Sequence, residues 1–176
     1  MTPAEQRRWR RRQLLLGLVL AALSPCLPAS EFKRLSGQPL APPVELLTSD
    51  GAPFSLSHLR GQVVLINFWA TWCEPCVAEM PSLQRLQQTF QGQGVAVVLI
   101  NYQEGPARID EFLRKLGLTL SVLRDTDGSV ARNWGARIFP ATYLVDRAGH
   151  IRYAHAGAAD WTSADALGII RAMLAS

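Results

Sequence analysis

The sequence predicts a layered α/β domain with a mixed sheet, and three observations carry that prediction. Two continuous apolar runs, VVLINFWA (63–70) and GVAVVLINY (94–102), have the character of central strands buried on both faces. Each is followed by a segment with helical periodicity. A strand–turn–strand signal and a last helix then close the chain, so the sheet cannot be wholly parallel.

The elements follow in order. VELLTSDGAPFSL, from Val44, reads as two short strands about the turn Ser49-Asp50-Gly51. After the first apolar strand, a helix is expected from Cys73 or Glu74 to Phe90. Val77, Met80, Leu83, Leu86 and Phe90 recur on one side of it. Pro75 is tolerated in its first turn, and Pro81 is expected to kink it. After the second apolar strand come a helix over Ala107–Leu116 and a strand over Leu120–Arg124. The turn DTDG and a short helix over Ser129–Trp134 follow, with Asp125 and Asp127 serving the turn and capping that helix. ATYLVD and HIRYAHA form a hairpin about Arg147-Ala148-Gly149, and Asp160–Ala175 is the closing helix.

The 176 residues suit one domain, expected over 44–176 and to be a monomer. The net charge of +4 comes from the N-terminus: Arg7, Arg8, Arg10, Arg11 and Arg12 precede a region that is neutral from Glu31 onward, with 13 basic and 13 acidic side chains. No basic patch argues for nucleic acid. RRWRRR, an apolar run from Leu14 to Leu23 and SPCLPAS describe a secretory signal over residues 1–30. Ten apolar residues are few beside the roughly 17–25 of a full span. A retained anchor stretched to Leu27 is the alternative, and it would make the N-terminus a membrane tether with the arginines inside. Arg11-Arg12 fits a loose twin-arginine pattern. Cys26 stands where a lipidated cysteine would, but Pro25 spoils the lipid box. Residues 31–43, with Pro39, Pro42 and Pro43, read as an extended linker.

WATWCEPC (69–76) carries the chemistry. Zinc wants four ligands, and beyond Cys73 and Cys76 the exported part offers only the scattered His58, His150 and His155. No metal site is expected, although copper can accept two thiolates. A disulfide across two residues closes almost no loop, so a stabilising staple is a poor reading. A redox pair fits each part. Cys73 falls between a buried strand and a helix N-terminus, whose partial charge and free N–H groups favour a thiolate. Cys76, one turn on, can attack a mixed disulfide formed by Cys73.

On these residues the chain resembles the thioredoxin superfamily, and more narrowly the exported, membrane-associated thiol–disulfide oxidoreductases of the TlpA/ResA type. The resemblance covers about residues 37–176. It is carried by FWATWCEPC, by Pro81, by Phe139-Pro140-Ala141-Thr142 before a strand, and by DTDGSVARNWGARIFPATYLVDRAGHIRYAHAG. It implies a thioredoxin-like three-layer sandwich, with a mixed central sheet, helices on both faces and an N-terminal β-hairpin. It implies Cys73 as nucleophile, Cys76 as resolving thiol and Pro140 as a cis-proline that exposes the Phe139 backbone to a substrate strand. Glu79, three residues after Cys76 and on the same helix face, is the matching proton-shuttling carboxylate. Glu74 between the cysteines makes the thiolate less favoured and the disulfide less oxidising, which leans towards a reductase. Trp72, with Glu74 and Pro75, is expected on the substrate side, whereas Trp69, Trp134 and Trp161 read as packing residues.

The resemblance further implies reduction of disulfides in exported clients such as apocytochrome c, at the periplasmic or outer face of a bacterial membrane. A membrane thiol-reductant carrier would recharge the pair, with no cofactor beyond the two sulfurs. The alternatives are a disulfide donor of the same fold, a peroxide reductase and a copper-binding chaperone. Against the peroxide reading, Thr71 stands two residues before Cys73, where a threonine three before a lone cysteine is expected.

Overall fold

The computed structural model describes residues 32–176, so the expected signal over residues 1–30 and Cys26 lie outside the described residues. Eight strands form one sheet: β1 (Lys33–Arg34), β2 (Glu45–Thr48), β3 (Pro53–Ser55), β4 (Val63–Trp69), β5 (Val95–Tyr102), β6 (Val122–Asp125), β7 (Ala141–Val145) and β8 (Ile151–Ala156). The spatial order is β1-β8-β7-β4-β5-β6-β2-β3. The central pairs β4–β5 and β5–β6 are parallel, and β4–β7 and β7–β8 are antiparallel, so the sheet is mixed. The hairpin β2–β3 sits at one edge.

Every residue of β4 is buried, including the one amide, Asn67, in its otherwise apolar run. Alternate side chains serve two cores. Val63, Leu65 and Trp69 face one core with helix α1 (Glu74–Thr89), helix α2 (Pro106–Leu116) and helix α4 (Ala164–Leu174). Val64, Ile66 and Phe68 face the other, closed by helix α3 (Ser129–Asn133) and the 3₁₀ turn Leu56–Leu59. Met80, Leu83 and Leu86 fix α1 to the sheet and are fully buried, each stabilising the fold by about 1.5–3 kcal/mol. The helix runs unbroken through Pro81.

Three boundaries differ from the sequence reading by more than one residue. Residues 32–43, expected as an extended linker, instead turn at Ser36–Gly37, with Gly37 at φ +82° and Gln38 at φ +43°, and are laid against the domain. Lys33 and Arg34 pair with Tyr153 and Ala154, and Leu40 bridges His150. Helix α4 starts at Ala164 because Asp160 turns the chain first, accepting the Thr162 N–H at 2.9 Å, and Ser163 then caps the helix. The strand expected from Leu120 starts at Val122.

Candidate active site

Strand β4 ends at Trp69, and the chain turns at once. The Cys73 N–H donates to the Ala70 carbonyl at 3.2 Å, closing a tight turn that contains Thr71 and Trp72. Cys73 is the N-cap of α1, in extended backbone (φ −90°, ψ 98°), and its Sγ accepts the Cys76 N–H at 3.3 Å. The sulfur thus occupies the place of a capping oxygen, at the positive end of the helix dipole. The two cysteines form a disulfide. Cys73 keeps 6% of its surface exposed and Cys76 none, so an incoming group meets Cys73 first.

Glu79 lies one turn beyond Cys76 on the buried face of α1, with 2% of its surface exposed. Its carboxylate accepts the Asn67 side-chain amide at 2.8 Å, the Ala159 N–H at 3.1 Å and the Trp161 indole N–H at 3.0 Å. Burial pushes the carboxyl above its usual range, and the bonds from Ala159, Trp161 and Asn67 oppose that without cancelling it. Asn67 also donates to the Thr142 hydroxyl at 2.9 Å, which ties the acid to β7. Ser82 accepts the Trp161 N–H at 3.2 Å and donates to the Glu79 carbonyl at 2.7 Å.

The outer surface is built from Trp72, Glu74, Pro75 and the loop before β7. Trp72 is 60% exposed, and its ring meets that of Phe139 edge-on at 6.1 Å. Phe139 is half-buried, Pro140 is buried, and the bond between them is cis. Beneath Phe139 lies Tyr102, with ring centroids 5.0 Å apart. Only glycine fits at position 128 behind that ring, since a Cβ there would stand 2.6 Å from the Tyr102 ring. Ile138, 71% exposed, extends the apolar surface. Among the described residues, no group of three His, Cys, Asp or Glu side chains could hold a metal ion.

Residues 38–154 match the AhpC/TSA family model. The chain belongs to the AhpC/TSA family. It is 32% identical over 151 residues to the thiol-disulfide oxidoreductase ResA of Geobacillus thermodenitrificans, covering 84% of this chain and 87% of that one. It is 35% identical over 120 residues to the thioredoxin-like protein YneN of Bacillus subtilis, covering 66% of this chain and 69% of that protein. Among solved structures, a thiol:disulfide interchange protein of the thioredoxin family from Chlorobium tepidum superposes with a TM-score of 0.68. It shares 26% identity and covers 80% of this chain and 99% of its own. The dsbF protein of MTB superposes with a TM-score of 0.62 at 29% identity, covering 75% and 93%. With its paired cysteines, this member of the family is a thiol–disulfide oxidoreductase, and the fold is thioredoxin-like.

The structure brings Cys73, Cys76 and Glu79 together on one end of α1, and Trp72 together with Phe139. Sequence reasoning missed Asn67 and took Trp161 for packing alone. Asn67 had a signal, an amide inside an otherwise apolar strand, which needs a buried partner. Trp161 had none, because its donor role depends on where the chain returns some eighty residues later.

Proposed function

We propose that this oxidoreductase works as a reductant of disulfides in exported client proteins, with apocytochrome c as a candidate client. The observation that carries the proposal is Cys73 at the helix cap, with the Glu79 carboxylate buried behind the pair. In the reduced protein, the Cys73 thiolate attacks a client disulfide. A bond forms between Cys73 Sγ and one client sulfur, and the other leaves and takes up a proton. Cys76 then gives its proton to Glu79 and attacks Cys73 Sγ, releasing the second client thiol. Two electrons have passed to the client, and Cys73–Cys76 is oxidised. A carboxyl raised by burial suits that proton transfer.

Trp72, Phe139 and Pro140 form the surface on which the client lies, with Glu74 and Pro75 beside the disulfide. Glu74, which is exposed, disfavours the thiolate and so makes the disulfide less oxidising. The chemistry resides in the two sulfurs and calls for no further cofactor. The basic, apolar N-terminus supports export to the periplasm or the outer membrane face, through a cleaved signal or a retained tether. Recharging by a membrane thiol carrier follows from that placement. Among the described residues, no helix is long and apolar enough to cross a membrane.

The test is the reduction potential of the pair, equilibrated in thiol buffers, together with capture of a client by Cys76→Ser. A potential near or below about −250 mV supports a reductant, whereas one near about −120 mV makes the protein a disulfide donor. A Cys76→Ser protein that traps no mixed disulfide through Cys73 sinks the assignment of roles.

A further inference from the structure

We infer that Glu104 is a positioning residue for the nucleophile, its carboxylate holding the turn that presents Cys73. The inference rests on the reading of Cys73 as the attacking cysteine. Glu104 is outside the CxxC helix, in the loop between β5 and α2, and is 9% exposed. Its Oε2 accepts the Thr71 N–H at 2.7 Å and the Asn101 side-chain amide at 2.7 Å. Its Oε1 accepts the Thr71 hydroxyl at 2.5 Å and pairs with Arg108 Nε at 2.7 Å. Arg108 Nε also donates to the Thr71 hydroxyl oxygen at 2.7 Å.

The pattern is a clamp. Asn101 pairs with Trp69 in the β4–β5 ladder, so it stands beside the strand end from which the turn departs. Gln103, just before Glu104, is held at φ +59°, a conformation that costs a non-glycine residue free energy. It is kept there by its N–H to the Asp125 carbonyl at 3.0 Å, and the result aims Glu104 inward. Burial acts to raise the Glu104 carboxyl, but the bonds from Thr71 and Asn101 and the Arg108 charge outweigh it and keep it ionised. Only a carboxylate, which accepts and never donates, satisfies these four groups together.

The need for a clamp is physical. Of the Ala70–Cys73 turn, the Ala70 carbonyl, the Thr71 N–H and hydroxyl and the Cys73 N–H are all bonded. Trp72 alone has its side chain out, at 60% exposure, against the hydrophobic pull inward. A turn free to bury that indole would draw Cys73 Sγ off the Cys76 N–H.

Three variants test this: Thr71→Val, which removes one hydroxyl without changing charge; Thr71→Ser, which keeps both donors; and Glu104→Gln. The readout is the rate and pH profile of Cys73 alkylation by iodoacetamide in the reduced full-length protein, with the labelled cysteine located by mass spectrometry. Thr71→Val should slow labelling at neutral pH about fivefold, the equilibrium factor of one net hydrogen bond, and move the profile to higher pH. Thr71→Ser should match the wild type. Thr71→Val combined with Glu104→Gln should lose no more than the worse single change, because both act in one network. Should Glu104→Gln not fold, the two Thr71 variants decide alone. An unchanged rate and profile in folded Thr71→Val, or equal losses in Thr71→Ser, overturns the inference. Wild-type label on Cys76 instead of Cys73 overturns the assignment of roles, and this inference with it.

Discussion

The indole N–H of Trp161 donates to the Glu79 carboxylate across 3.0 Å, joining the chain that leads into the last helix to the active-site helix. A hydrogen bond to the charged form favours that form. Trp161→Phe keeps an aromatic ring against Phe32, which lies 5.3 Å away, and removes the donor together with part of the buried ring. The Glu79 carboxyl should then rise further, and the pH profile of client reduction should shift to the alkaline side. Stability should fall by about 1.5–3 kcal/mol. A profile that does not move would show that Glu79 takes no proton in the limiting step.

Glu79 also makes stability depend on pH. Its folded carboxyl is raised above the unfolded value, so within that window the native chain holds a proton the unfolded chain has lost. Stability is full below the window, declines as pH rises through it, and levels off above. Glu79→Gln is less stable at low pH, because one amide oxygen faces three donors, but it lacks this decline. Melting temperatures of both proteins across pH should converge as pH rises, and parallel curves would contradict the raised carboxyl.

Trp72→Ala should cost little stability, within about 0.5 kcal/mol, since most of the indole is already in water. It should raise KM for a protein disulfide while leaving reduction of a small disulfide nearly unchanged. Equal losses on both substrates would place Trp72 in the chemistry itself.

Asp125 is a control because its side chain bonds only into α3, while the main-chain carbonyl that holds Gln103 survives its substitution. Fully buried, it accepts the N–H groups of Val130 at 3.2 Å and Ala131 at 2.8 Å, at the start of α3. Asp125→Ala should lower stability by about 2 kcal/mol, as for a lost cap with buried donors left bare. Chemical denaturation measures it, and Cys73 alkylation of the folded variant should be unaltered.

The parts of this molecule governed by local periodicity were legible in the sequence. The two buried strands, helix α1 and the hairpin β7–β8 follow from apolar runs and turn residues, and Cys73 falls at the cap because a strand–turn–helix boundary can be read directly. Trp69 and Trp72, three residues apart, separate into core and surface as expected. The rest was hidden because it is made of long-range polar contacts. Asn67 and Asn101 sit in parallel strands, each aimed at a glutamate, and only their presence in apolar runs hinted at it. The edge strand at Lys33–Arg34 was masked by neighbouring prolines that suit a free linker equally well.

The partners of Glu79 have a consequence for the order in which the protein becomes competent. The acid receives donors from Asn67, Ala159 and Trp161, the last two some eighty residues downstream. A chain emerging N-terminus first from a ribosome displays both cysteines well before the segment that seats the acid. The finished site is therefore withheld until nearly the whole domain has emerged, and a prematurely truncated product carries two thiols beside a Glu79 that lacks two of its three donors.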